Sequence, residues 1–330
     1  MDRYQMLAQE LGEKGPRMVC TFCGGPRAGE KVWWDPGAPA PQGLAGTGAP
    51  GFYTAEDGQI VFCEHLCLPP HIIICGGGHV GRKTAVMAAL CGFAVTVLDD
   101  RPEFLRPADF PQGARLICAP FEEGLAPLGG KECWFVVVTR GHAADLACVR
   151  AILSKEHAYL GMIGSKAKVA HTMEVLRAEG VPPEKCEGIR APNGLDLGGG
   201  EPAEIAVSIL AQIIQEKSRA SAAQVPPEVL WLWAGGPRPA VAVTVVQKKG
   251  SAPRGPGARM VCGPGKDGFC ILAGTVGGGS VEAAALRRAE QFFHSKEPVA
   301  LAHYDLSGAE ASGLGMVCGG DMTLLFEKMG

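Results

Sequence analysis

From His71 onward, short and wholly apolar runs alternate with longer stretches whose apolar residues recur every three or four positions. Ile72, Ile73 and Ile74 form a continuous apolar run, as expected of a parallel strand buried on both faces. Val80, Thr84, Met87, Ala88 and Cys91 then share one face of a helix, which Gly92 ends. Phe93 to Leu98 predicts a second strand, Ala114 to Cys118 a third, Trp134 to Thr139 a fourth and Ala158 to Ile163 a further one. Helices are predicted over Asp145 to Leu153 and over Lys166 to Gly180, the latter capped by Gly164 and Ser165. A long loop, Ala191 to Glu204, leads into a last helix with Pro202 at its first position and Ile205, Ile209, Leu210, Ile213 and Ile214 facing a core. Such β-α alternation over residues 71–217 predicts an α/β fold built on a Rossmann-like parallel sheet.

The flanking regions have a different rhythm. Residues 1–70 predict a short helix around Tyr4 to Leu11, a strand over Arg17 to Phe22 and a Pro/Gly-rich loop from Pro36 to Gly51. Residues 218–240 shift to small residues, Pro and Gly, and read as a linker, although Trp231 and Trp233 suit a packed position. Residues 241–330 predict a second, smaller domain of mixed α+β character. Its strands are Ala240 to Val246, Arg259 to Cys262, Ile271 to Val276 and Val299 to Tyr304, with a helix over Val281 to Phe293. VCTFCGGPRAGEKVWW near the start also resembles VTVVQKKGSAPRGPGARMVC in the last domain, with Pro26-Arg27 matching Pro253-Arg254 across one gap. On that reading, residues 1–70 are a degraded copy that has lost the GGGSVE and VCGG elements.

Composition narrows the function classes. With 330 residues the chain has room for two or three cores. A net charge of −3 with 20% charged residues gives no basic surface for nucleic acid or anionic membranes. No apolar run has the length of a membrane span, and the polar N-terminus has no signal-peptide core. Thirteen cysteines without an export signal point to a reducing cytoplasm rather than a disulfide framework. Cys20, Cys23, Cys63 and Cys67 form two close pairs that allow either a zinc site or plain structural thiols.

Candidate chemistry gathers at glycines. Gly76, Gly78 and Gly81 keep G-x-G-x-x-G spacing between strand and helix, and Asp99, Asp100 and Arg101 follow about 20 residues on, the pattern of a dinucleotide fingerprint. The same turn also occurs in folds that bind nothing there. His79 lies inside that loop, and Arg140 and His142 stand at the carboxyl end of the fourth strand, where open α/β sheets hold ligands. Lys166 and Lys168 can face a phosphate or simply be a solvated first turn. In the last domain Gly277, Gly278, Gly279 and Ser280, followed by Glu282, form a second anion nest at a helix start. Arg254 is the charge in a Gly/Pro loop, and Cys318 sits in a Gly-flanked turn suited to a ligand or nucleophile.

These motifs together resemble the XdhC/CoxI family of xanthine and carbon monoxide dehydrogenase maturation factors. IIICGGGHVGR, VTVLDDRPEF, VVVTRGH, YLGMIGSKAKV, APNGLDLGGGEPAEIAVSILAQII, GSAPRGPGARM, GTVGGGSVEAAAL and GMVCGG carry the resemblance across residues 60–330. It implies a cytoplasmic accessory protein that binds molybdenum cofactor (molybdopterin), supports its sulfuration by a cysteine desulfurase and delivers it to an apo molybdenum hydroxylase, and it suggests a homodimer. It implies Cys318 as the reactive thiol and metal ligand. In most members the CoxI-type domain precedes the Rossmann-type domain, whereas here it comes last. Members usually carry cysteine where this chain has Ser280, which cannot hold a persulfide. The competing readings are an NAD(P)-dependent oxidoreductase, with Asp99 on the ribose, and a nucleotide-sensing regulatory module using the same glycine loop.

Overall fold

The computed structural model describes residues 1–34, 39–41, 44, 49–219, 223–250, 254–305 and 320–330. The chain forms two compact units, Pro69–Ser221 and Met1–Leu68 together with Ala222–Gly330.

The discontinuous unit begins with α1 (Arg3–Lys14), whose N-terminus is closed by a capping box between Asp2 and Gln5. β1 (Arg17–Phe22), β2 (Lys31–Trp34), β3 (Gly51–Thr54) and β4 (Ile60–Cys67) follow. β1 pairs antiparallel with both β2 and β4, and β3 pairs with β4. Cys20 and Cys63 are direct partners across β1 and β4 and are joined as a disulfide. The close spacing of Cys20 to Cys23 and of Cys63 to Cys67 therefore hid the real pairing, which spans 43 residues. Among the described residues no group of three or more His, Cys, Asp or Glu side chains is placed to hold a metal.

The continuous unit is the predicted α/β layer structure. Its strands are β5 (His71–Cys75), β6 (Ala94–Asp99), β7 (Arg115–Cys118), β8 (Gly130–Val137) and β9 (His157–Met162). They form one all-parallel sheet in the order β7-β6-β5-β8-β9. α2 (His79–Leu90), α3 (Phe121–Leu125), α4 (His142–Leu153), α5 (Lys166–Ala178), α6 (Pro183–Glu187) and α7 (Pro202–Arg219) flank it. Strand alternation explains why three consecutive isoleucines are needed. Ile72 and Ile74 pack with Ala85 and Ala88 of α2 and Ile209 and Ile213 of α7. Ile73 and Cys75 face the opposite layer, with Cys148 and Ile152 of α4 and Leu176 of α5. Each of these isoleucines is fully buried, which stabilises by about 1.5–3 kcal/mol per side chain.

The chain then re-enters the discontinuous unit through β10 (Ala223–Gln224), which adds to β4, and α8 (Pro227–Gly235). The stretch read as a linker thus contains a helix that buries Val229, Leu232 and Trp233. Its Pro-Pro start and Gly-Gly end are helix boundaries rather than signs of a flexible segment. β11 (Ala240–Gly250), β12 (Arg259–Gly265), β13 (Gly268–Gly274), α9 (Gly279–His294), β14 (Val299–Asp305) and β15 (Gly320–Met329) complete the unit. Their sheet runs β13-β12-β11-β15-β14, all antiparallel. α9 covers one face through Val281, Ala285, Ala289 and Phe292. Among the described residues no helix is long and apolar enough to cross a membrane.

Candidate functional site

In the parallel-sheet unit, the carboxyl ends of β5, β6 and β8 bring most of the predicted residues together. The three motif glycines of the loop after β5 have separate jobs. Gly76 has φ +120°, and a side chain there would strike the Val138 carbonyl oxygen at 2.5 Å. A side chain at Gly81 would meet the Gly76 carbonyl oxygen at 1.8 Å, so this glycine lets α2 pack close to the strand. At Gly78, the N-cap of α2, a side chain would meet nothing within 4 Å. A side chain at Gly77 would meet the Phe104 carbonyl oxygen at 2.6 Å, so the loop is tight at Gly76, Gly77 and Gly81 and open only at Gly78, where a phosphate would approach the helix start. His79 is exposed in the first turn.

Asp99 is fully buried at the end of β6 and accepts four hydrogen bonds. They come from the Gly77 amide at 2.8 Å, the Arg101 amide at 3.0 Å, Arg101 Nε at 2.9 Å and Arg101 Nη2 at 3.1 Å. Those four bonds saturate its two oxygens. Burial pushes the carboxyl up, but the Arg101 guanidinium and the two amides outweigh it and hold it below the usual carboxylate range. Asp99, the residue expected on a ribose under the oxidoreductase reading, here fixes the glycine loop and aims Arg101. Arg101 stacks on Phe104, its guanidinium carbon 3.7 Å from the ring centroid. Asp100 and Arg140 face each other at 3.5 Å, both partly exposed.

A neighbouring constellation was only half visible in sequence. Thr139 Oγ1 donates to Asp145 Oδ1 at 2.6 Å, and Lys168, from the first turn of α5, pairs with Asp145 Oδ2. Asp145 is fully buried, so Lys168 is held as the counter-ion of a core carboxylate. For Lys168 the choice between phosphate ligand and solvated first turn is resolved toward neither, whereas Lys166 is exposed in that first turn. Asp145, predicted as a helix-start residue only, carries no spacing signal that links it to Lys168, because the pair forms through the β8-α4-β9-α5 crossover. His142 is exposed at the first position of α4, and neither it nor His79 has a carboxylate partner among the described residues.

The second candidate place lies in the discontinuous unit at the start of α9. Gly277, Gly278 and Gly279 all have positive φ, at +140°, +74° and +62°, which only glycine adopts without strain. Thr275 and Glu282 shape the turn: Thr275 Oγ1 donates to Glu282 Oε2, and Glu282 Oε2 also accepts from the Gly278 amide at 3.3 Å. Glu282 therefore braces its own helix start. Side chains at Gly278 and Gly279 would find open space. Ser280 Oγ is buried and has no hydrogen-bond partner among the described residues, the kind of orphaned polar atom that a bound group satisfies. Arg254 is exposed. Cys318 lies outside the described residues.

Comparison with known proteins follows the same division. The XdhC Rossmann domain matches residues 72–213, and the XdhC and CoxI family matches residues 233–305. The chain is 34% identical over 161 residues to the uncharacterized protein YqeB of Escherichia coli (strain K12), covering 48% of this chain and 30% of that protein. It is 32% identical over 165 residues to a probable xanthine dehydrogenase component of Bacillus subtilis (strain 168), covering 48% and 46%. The chain thus spans less than half the length of these two curated relatives. A crystal structure of a xanthine dehydrogenase from Bacillus halodurans is similar at 22% identity with a TM-score of 0.48, over 67% of this chain and 66% of that one.

Proposed function

Because the chain belongs to the XdhC/CoxI family, we propose that it is an accessory protein in the maturation of a molybdenum hydroxylase of the xanthine dehydrogenase type. In this reading it holds molybdenum cofactor as cargo, supports its sulfuration by a cysteine desulfurase and passes it to the apo-hydroxylase. The observation that carries the reading is the turn before α9. Three left-handed glycines free the backbone around a helix N-terminus, and the buried Ser280 hydroxyl beside them lacks a partner among the described residues. A phosphate-bearing pterin supplies both the anion that a helix start favours and the acceptor that Ser280 needs. Glu282 keeps the turn rigid, Arg254 adds positive charge, and Cys318 provides the soft donor a molybdenum centre prefers.

A second reading keeps the glycine loop after β5 as a nucleotide site, for NAD(P) or another nucleotide, and is favoured by the open space over Gly78. With Asp99 saturated, the far end of such a ligand would meet Arg101 and Arg140 rather than a ribose-binding carboxylate. The test is binding of isolated molybdenum cofactor to the purified protein, compared with Cys318→Ala, Arg254→Ala and Gly278→Val, with NAD(H) titrated in parallel. Cofactor binding weakened at least tenfold in Cys318→Ala and Gly278→Val supports the cargo reading. No cofactor binding by the wild type, beside clear NAD(H) binding, would reject it and favour the second.

A further inference from the structure

The strand registers of the discontinuous unit repeat. Thr21 faces Lys31 across β1 and β2, as Thr244 faces Arg259 across β11 and β12. Val19 faces Glu64 on β4, as Ala242 faces Glu327 on β15. Gly51 of β3 faces Cys63, as Ala300 of β14 faces Phe326. The order β3-β4-β1-β2 is thus matched strand for strand by β14-β15-β11-β12, and each set follows a helix, α1 or α8.

The two sets also meet through equivalent residues. Lys31 of the first pairs with Glu327 of the second at 2.7 Å, and Arg259 of the second pairs with Glu64 of the first at 2.7 Å. In register terms Lys31 and Arg259 are one position, and Glu64 and Glu327 are another. Residue i of one set therefore contacts j of the other, and j contacts i, which is the rule of an isologous two-fold interface. Residues near such an axis meet their own equivalents. Phe62 and Leu325, one register position, share a cluster, as do Leu66 and Met329. Tyr4 of α1 and Trp233 of α8 meet with ring centroids 5.2 Å apart and planes tilted by 56°, with Lys31 lying over the first ring and Arg259 over the second.

We propose that residues 1–68 serve as a built-in second protomer. They are a reduced copy of the CoxI-type half that occupies, within one chain, the two-fold face that a second copy of residues 222–330 would otherwise take. The reduction explains the asymmetry of function. Among the described residues of the first half, no strand or helix lies between β2 and β3, where β13, the glycine turn and α9 lie in the second half. Its hairpin arginine, Arg27, is bound by Glu30 at 2.7 and 2.6 Å. Each chain then carries one CoxI-type site, and the pairing of CoxI-type halves is completed within one chain. This inference does not rest on the identity of the cargo.

Two experiments on the full chain test it. An equal mixture of unlabelled and isotope-labelled protein is treated with a carbodiimide, which joins a lysine amine to a neighbouring carboxylate, and digested for mass spectrometry. The Lys31–Glu327 pair is expected only as wholly light or wholly heavy peptides. Mixed pairs would overturn the proposal. The second experiment reverses charge on the first half alone, with Lys31→Glu and Glu64→Lys. That variant repels its own second half but leaves Arg259 and Glu327 self-complementary between chains, so sedimentation equilibrium should show its mass doubled over the wild-type species. Adding Arg259→Glu and Glu327→Lys should restore the wild-type mass. A folded double variant that keeps the wild-type mass contradicts the proposal. If the double variant does not fold, refolding in the quadruple variant supports it and continued failure rejects it.

Discussion

Asp99 shows how a residue of the right type in the right place can serve a different end. An acid closing the second strand of a glycine-loop fold ordinarily reaches for a ribose, yet here all four acceptor positions go to Gly77 and Arg101. Its contribution to stability should be visible. Asp99→Asn removes charge-assisted bonds from a buried site and is expected to cost about 1–3 kcal/mol in urea unfolding. The pH dependence has a definite sign. The carboxyl is held below its unfolded value of 3.8, so its stabilisation is complete above that value and is lost as pH falls through the lower folded one. The difference between wild type and Asp99→Asn should therefore be constant at neutral pH and shrink from about pH 5 to pH 2. A difference that stays level to the acid end would mean that Asp99 is not held charged by Arg101.

Between strand and helix, the glycines divide structural from functional demands, and substitution can separate them. Gly81→Ala places a methyl at 1.8 Å from the Gly76 carbonyl oxygen, and a clash with backbone of that kind should cost about 1–3 kcal/mol or displace α2. Gly78→Ala meets open space and, at an N-cap, should change stability by less than about 1 kcal/mol. Urea midpoints distinguish the two. Equal losses would show that the loop is not open at Gly78. At this scale the sequence was legible wherever periodicity ruled: the three-isoleucine run lies where hydropathy placed it, and Thr84 and Ala88 of α2 and Ile209, Leu210 and Ile213 of α7 are buried, whereas the stripe ends fail, with Cys91 past the end of α2 and exposed and Ile214 exposed. It was illegible where the cause is remote in the chain. α8 hid behind Pro-Pro and Gly-Gly, because those residues punctuate helices and linkers alike. The Asp145–Lys168 pair and the Cys20–Cys63 bond need crossovers or strand pairings that no local spacing encodes. The faint PR match between the ends became a strand-by-strand correspondence only when the registers were known, since side-chain identity had drifted while pairing geometry had not.

At the scale of the whole molecule, the chain builds its units around separate cores, and this fixes how it should unfold. The cores of the parallel-sheet unit draw on residues between Ile72 and Ile213, while those of the other unit draw only on residues up to Leu68 and from Ala223 onward. Cooperativity follows shared burial, so each unit should melt as its own transition rather than the chain as one. Ile72 and Leu324 are both fully buried, one in each unit, and truncating either to alanine should cost about 2–5 kcal/mol locally. In calorimetry, Ile72→Ala is expected to lower one transition and leave the other in place, and Leu324→Ala to do the reverse. Tryptophan fluorescence gives an independent assignment, because Trp134 lies in the parallel-sheet unit and Trp33, Trp34, Trp231 and Trp233 all lie in the other. A Trp134→Phe chain should therefore report only the discontinuous unit. Since residues 1–68 and 222–330 share that unit, its fluorescence change must be a single step that moves with Leu324→Ala. Two steps would mean that the N-terminal half melts away from the C-terminal half, and the pseudo-two-fold face would then be too weak to act as a permanent contact between the halves.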